Sequence, residues 1–129
     1  MRGYTVAASA VTLRVSAKWL DNVLSHHSVP GVHRTRQGVQ RLLPPSALIQ
    51  LEIALILTRT LGTPLGVAIP VAARIHQAGG TISIPGPPPL SITLDLPTLV
   101  SRLDRRLADA VESAPSPKRG RPRAKAQRK

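Results

Sequence analysis

The scarcity of aromatic side chains sets the strongest limit on the core that this chain of 129 residues can build. Phenylalanine is absent, and Trp19 and Tyr4 are the only aromatic residues. The core must therefore consist of leucine, isoleucine, valine and alanine, and the several aromatics that a base-stacking RNA-binding sheet needs are missing. Cysteine is also absent, which excludes disulfides, thiol chemistry and cysteine zinc sites. The length predicts one domain with a modest core.

Two capped helices joined by a tight turn are predicted near the N-terminus. Thr5 precedes an apolar-periodic stretch and is the candidate N-cap of the first helix, and Ser16 is the candidate N-cap of a helix over residues 17–24. The side chains that share one face of this second helix, at three- and four-residue spacing, are Leu20, Val23 and Leu24. Lys18, Asp21 and Asn22 look outward. This arrangement is typical of a helix-turn-helix.

The segment that follows is rich in hydrogen-bond donors. A turn at Gly38 between Val32 and Leu42 predicts a two-stranded ribbon or an ordered loop. The donors near this turn are His33, Arg34, Arg36, Gln37, Gln40 and Arg41. They favour contact with backbone phosphate over a merely solvated loop.

Two further helices are predicted after this loop. The first covers Ala47 to Leu61, is closed by Gly62, and should be the most buried element because apolar residues surround it on nearly all sides. The second begins at Thr63-Pro64 and runs toward Gln77. Pro70 predicts either a kink in this helix or a start near that residue.

After Gly79-Gly80 the pattern changes to period two. Residues 81–84 and 90–94 alternate apolar and polar side chains around a proline-rich loop, which predicts a β-hairpin. Asp95 is the candidate N-cap of a last helix. Its apolar stripe, a hypothetical dimer interface, comprises Leu96, Val100, Leu103 and Leu107, with Ala110 beyond. The competing interpretation is that the stripe packs on Ala47 to Leu57 within one chain.

Residues 118–129 carry seven of the eighteen basic residues, and such a segment is predicted to be disordered alone. The segment Lys118, Arg119, Gly120, Arg121, Pro122 and Arg123 resembles the AT-hook, which lies in the minor groove of A·T-rich DNA. A narrow A·T minor groove attracts inserted arginines. The alternative is a generic basic tail that binds any polyanion.

The order of elements from residue 3 to about 76 resembles the winged helix-turn-helix of MerR-type transcription regulators. The matching segments are residues 4–10, residues 15–20, residues 31–41 as the wing, residues 46–57 and Leu61-Gly62-Thr63-Pro64-Leu65. The resemblance implies that the second helix enters the major groove and that the wing contacts backbone. By position, Ser16 and Lys18 match residues that commonly touch DNA. Asp21 and Asn22 depart from the family pattern, although an asparagine can form a bidentate pair with adenine.

The sequence therefore predicts a mainly α protein: a winged helix-turn-helix domain (3–78), a β-hairpin plus helix for self-association (79–113) and a disordered basic tail (114–129). The net charge of +12 favours double-stranded DNA as partner. No catalytic constellation and no cofactor site is predicted. No metal site is predicted either, because His26, His27 and His33 have no carboxylate or thiolate between them, which makes a weak metal-binding pattern. We expect a cytoplasmic, nucleoid-associated transcription regulator, a homodimer with no membrane span. The alternatives are an antitoxin-like adaptor that binds a partner protein through its C-terminal hairpin and helix, and an architectural nucleoid protein.

Overall fold

The computed structural model describes residues 3–33 and 41–113, and in these ranges the chain forms five α-helices and two short antiparallel strand pairs. In chain order the elements are β1 (Tyr4–Thr5), α1 (Val6–Leu13), α2 (Ala17–His26), β2 (Leu42–Leu43), α3 (Pro45–Leu61), α4 (Leu65–Gln77), β3 (Thr81–Ile84), β4 (Leu90–Thr93) and α5 (Leu96–Ser113). The mainly helical prediction and the C-terminal hairpin are confirmed.

Three helices begin at the side-chain caps that the sequence predicts. The backbone N–H of Ala8 donates to Thr5 Oγ1 at 3.1 Å, and that of Trp19 donates to Ser16 Oγ at 3.0 Å. At the start of α5, Thr98 N–H donates to Asp95 Oδ1 at 3.1 Å. Each cap supplies an acceptor for an N–H group that has no partner within the helix.

The helices α3 and α4 form the most extensive contact between two elements in the described part of the chain. α3 ends at Gly62, which adopts a left-handed conformation with φ 70°, and most of its side chains are buried, as predicted. α4 begins at Leu65 and passes through Pro70, so the alternative in which the helix starts near that proline is wrong. Pro70 is exposed, which places its ring toward solvent.

The two strand pairs have different origins. β1 pairs with β2, with Tyr4 opposite Leu43 and Thr5 opposite Leu42. The ribbon predicted from the sequence would pair Leu42 with residues on the other side of a turn at Gly38. In the structure Leu42 pairs instead with Thr5, which precedes α1. β3 and β4 form the predicted hairpin, one residue shorter at its end. Gly80 precedes it with φ 118°, and a Cβ there would lie 2.7 Å from the Leu94 carbonyl oxygen, so this position requires glycine.

The amphipathic helix α5 packs mainly against α1 and also contacts α3. Its buried residues are Leu99, Leu103, Leu107 and Ala110, while Leu96 and Val100 are half-buried against the same core. This finding corrects the interface hypothesis for Leu103 and Leu107, because side chains that are 3% and 8% exposed offer no surface to a second copy. The stripe packs on the nearest apolar surface of its own chain, which is chiefly α1. Residues 3–78 and 79–113 thus contribute to one continuous hydrophobic cluster.

Candidate functional site

The outer face of α2 is a polar surface on which predicted contact residues lie together. Arg14 ends α1 in a left-handed conformation (φ 61°), and its N–H donates to the carbonyls of Ala10 and Val11, which turns the chain into α2. The buried side chains of α2 are Leu20, Val23 and Leu24. The opposite face exposes Lys18, Asp21, Asn22 and Ser25. The division follows the predicted helical spacing.

Arg41 lies against this face although it comes from the segment before β2. Its Nη1 is 3.1 Å from Asp21 Oδ1 and also donates to the Asp21 carbonyl and Ser25 Oγ, both at 3.3 Å. The Asp21 side chain is 64% exposed, so the pair adds little stability. Its consequence is electrostatic, because the negative charge of Asp21 is offset by the neighbouring guanidinium of Arg41.

The structure brings together part of the predicted contact set. Lys18 and Asn22 lie one turn apart on the exposed face of α2, and Arg41 contacts the same face. Ser16 is the N-cap at the start of that helix, and His33 is exposed. The predicted contacts that lie outside the described residues are Arg34, Arg36, Gln37, Gln40, Lys118, Arg119, Gly120, Arg121, Pro122 and Arg123. Trp19 is half-buried and packs against the core.

Charge is distributed unevenly along the chain. The basic residues of segment 1–94 are Arg2, Arg14, Lys18, Arg34, Arg36, Arg41, Arg59 and Arg74. Only two acids occur in this segment, Asp21 and Glu52, and each forms an ion pair with an arginine. The exposed basic side chains of the described part include Arg14, Lys18, Arg59 and Arg74. A surface of this kind has a positive potential.

The second of these ion pairs was not predicted from the sequence. Arg106 Nη2 lies 2.8 Å from Glu52 Oε2, and Arg106 Nη1 donates to the Thr12 carbonyl at 3.2 Å. The side chains of Glu52 and Arg106 are 10% and 20% exposed. The available signal was an acid among the mostly apolar residues of α3, but the sequence does not identify its partner, which lies 54 residues away.

Between residues 3–33 and 41–113, no group of histidine and carboxylate side chains is arranged to hold a metal ion. In these same ranges no helix combines the length and apolarity that crossing a lipid bilayer requires. Comparison of the chain with protein-family models, with curated protein sequences and with solved structures found no match.

Proposed function

We propose that this chain is a sequence-specific DNA-binding protein, a small transcription regulator that contacts base edges with the outer face of α2. The observation that carries the proposal is the pair Lys18 and Asn22, exposed one turn apart on a capped helix that follows α1 through a tight turn. A helix of this kind fits the major groove. Lysine donates to guanine or phosphate, and asparagine forms a bidentate pair with adenine.

The charge distribution supports the same function. Both acids of segment 1–94 are paired with arginine, so the positive charges near α2 are not opposed by a free carboxylate of that segment. Contacts with phosphate position a protein on the duplex, and base contacts provide specificity. We propose that Arg34, Arg36, Gln37 and Gln40 contact backbone as a wing. The AT-hook-like segment 118–123 would then occupy the minor groove of a flanking A·T-rich stretch.

The test compares a selected duplex with random duplex DNA. Duplexes that bind the full chain are enriched from a random pool, and affinities are then measured for the best site and for the unselected pool. Replacing Lys18 and Asn22 together by alanine should reduce the ratio of the two affinities by about tenfold or more, because each good base contact contributes about 1–3 kcal/mol of discrimination. Non-specific affinity should fall much less.

The matched control replaces Arg105 and Ser101, which are exposed on α5, by alanine. This variant loses the same charge and one uncharged polar group, and its affinity ratio should equal that of the wild type. Equal loss of selected-site and random-site affinity in the α2 variant would show that α2 does not read sequence.

Deleting residues 118–129 should reduce the slope of log K against log salt by several units, since each neutralised phosphate contributes about 0.9.

A further inference from the structure

A groove of about 680 Å³ lies between the first described residues and the second half of α5. Gly3 and Tyr4 line it from the N-terminal side. The residues that line it from α5 are Asp104, Leu107, Ala108, Val111 and Glu112. Its volume is within the range of sites that hold a ligand.

The apolar part of the lining is incompletely covered. Leu107 is buried and Tyr4 is half-buried, whereas Val111 is 54% exposed. Packing the methylene stem of an arginine or lysine, or a proline ring, on such a surface removes apolar area from water. The groove therefore favours an occupant with apolar stems over a bare ion.

The charged side chains in this lining are acidic. Asp104 and Glu112 are both exposed, and neither forms an ion pair with another residue of the described ranges 3–33 and 41–113. No basic side chain from these ranges lines the groove. In a chain of net charge +12, the groove is therefore a local site for positive charge.

The basic tail follows α5 directly in the sequence. α5 ends at Ser113, and residues 118–129 carry seven of the eighteen basic residues and no acid. A chain spans at most about 3.3–3.6 Å per residue, so the six steps from Ser113 to Arg119 cover up to about 20 Å. That length is sufficient for Arg119 to turn back to Glu112, which lies in the last turn of the helix.

The spacing of charges in the groove matches the spacing in the tail. Asp104 and Glu112 are eight residues apart, which corresponds to about 12 Å along the axis of a helix. Arg119 and Arg123 are four residues apart, which corresponds to about 13 Å in an extended segment. Pro122 lies between them and favours an extended backbone. Two arginines of one short segment can thus reach both carboxylates together.

We propose that this groove binds the chain's own basic tail, with residues 118–123 folded back along α5. Arg119 pairs with Glu112. Arg123 pairs with Asp104, and the arginine stems cover the apolar lining. A short tether gives the tail an effective concentration of about millimolar at the groove, so a weak contact is sufficient to fill it. The docking does not depend on the proposed DNA contact, and its test contains no DNA.

The first experiment measures the proximity of the tail to the groove by paramagnetic broadening in nuclear magnetic resonance spectra of the full chain. Since the chain has no cysteine, Ala124→Cys gives a single attachment point for a nitroxide beside Arg123. The amide signals of Tyr4 and Asp104 should lose about half of their intensity or more relative to the reduced label, because the tether keeps the groove occupied for much of the time. Broadening that fades steadily from Ser113 along α5 and leaves Tyr4 sharp would overturn the proposal.

The second experiment separates docking in the groove from general attraction between opposite charges. Asp104→Asn should restore most of the lost Tyr4 intensity, because it removes one of the two carboxylates of the groove. Asp109→Asn is the matched control: it makes the same substitution on the same helix, at an exposed position outside the groove lining, and should restore much less. Circular dichroism checks that both variants keep the helix content of the wild type. Equal restoration by the two variants would overturn the proposal, since charge alone then holds the tail near α5.

A mixed sample shows which copy supplies the tail. An isotope-enriched chain without the nitroxide is combined with an equal amount of unenriched chain that carries it. The Tyr4 signal of the enriched chain should keep its full intensity. Broadening of this signal would assign the groove to the tail of a second copy and overturn the intrachain docking.

Discussion

The region around α2 and the region where α5 packs on α1 and α3 each contain one arginine–carboxylate pair, in very different surroundings. The Asp21–Arg41 pair lies on the surface at 3.1 Å, with Asp21 mostly exposed. The Glu52–Arg106 pair lies at 2.8 Å between helices, and both side chains are mostly buried. The surface pair adjusts local charge and contributes little stability, whereas the buried pair is costly to break because water cannot replace the missing partner.

The largest effect is expected where a carboxylate is placed in the core without an arginine. Leu103→Glu should destabilise the chain by about 4 kcal/mol or more, because Leu103 is 3% exposed in the core between α5 and its neighbours. Urea unfolding followed by far-ultraviolet circular dichroism measures the change. Ala108→Glu on the exposed side of α5 is the control and should stay close to wild type. A well-folded monomeric Leu103→Glu chain would contradict the packing of α5 described above.

The next effect comes from removing one partner of the buried pair. Arg106→Met leaves Glu52 without its cation and the Thr12 carbonyl without its donor, so the free energy of unfolding should fall by about 3–5 kcal/mol. The double variant Glu52→Leu with Arg106→Met should recover most of this loss, because it removes the buried charge altogether. A double variant no more stable than Arg106→Met would mean that the arginine acts mainly through Thr12.

A smaller change of opposite sign is expected at the turn before α2. Arg14 adopts φ 61°, which costs a residue with a side chain about 1–2 kcal/mol relative to glycine. Arg14→Gly should therefore stabilise the chain by about 1 kcal/mol in chemical unfolding. Arg14→Ala removes the same charge without relieving the backbone, and it should give no gain. Equal effects of the two variants would assign the change to charge.

The smallest effect is expected for the surface pair itself. Asp21→Asn should alter the free energy of unfolding by less than about 1 kcal/mol, and the difference should shrink as salt is added. Unfolding curves at low and high ionic strength measure it. Ser25→Ala is the control, because it removes the hydroxyl contacts with Arg41 and with the Asp21 carbonyl but keeps the ion pair. If Asp21→Asn lowers the free energy of unfolding as much as Arg106→Met does, the surface pair and the buried pair do not differ in their contribution to stability.

Local signals along the sequence were sufficient to predict the helix starts. Thr5, Ser16 and Asp95 each bond an N–H three residues ahead, so their role depends only on a few neighbouring residues. Gly62 and the alternating strands around the proline-rich loop are equally local. These local patterns determine where a helix or strand begins or ends, but they do not determine which other element packs against it.

Partners in space were less predictable, because helical spacing shows that a face is buried but not what covers it. The stripe on α5 includes Leu99, which was not predicted, and it lies chiefly on α1 rather than on a second copy or on α3 alone. Likewise Leu42 pairs with Thr5, far earlier in the chain. The candidate site shows the same division: the outward position of Lys18 and Asn22 follows from periodicity, whereas the contact of Arg41 with α2 depends on the tertiary fold.

The packing of α5 on α1 has a consequence for how the chain is made. α1 and α5 are the first and last helices of the described residues. Their contact therefore brings together two segments that are separated by most of the described sequence. During synthesis the α1 surface that meets α5 stays open to water until the last helix has emerged. Completion of this core therefore waits for the synthesis of α5, and until then the nascent chain exposes the aliphatic surface of α1.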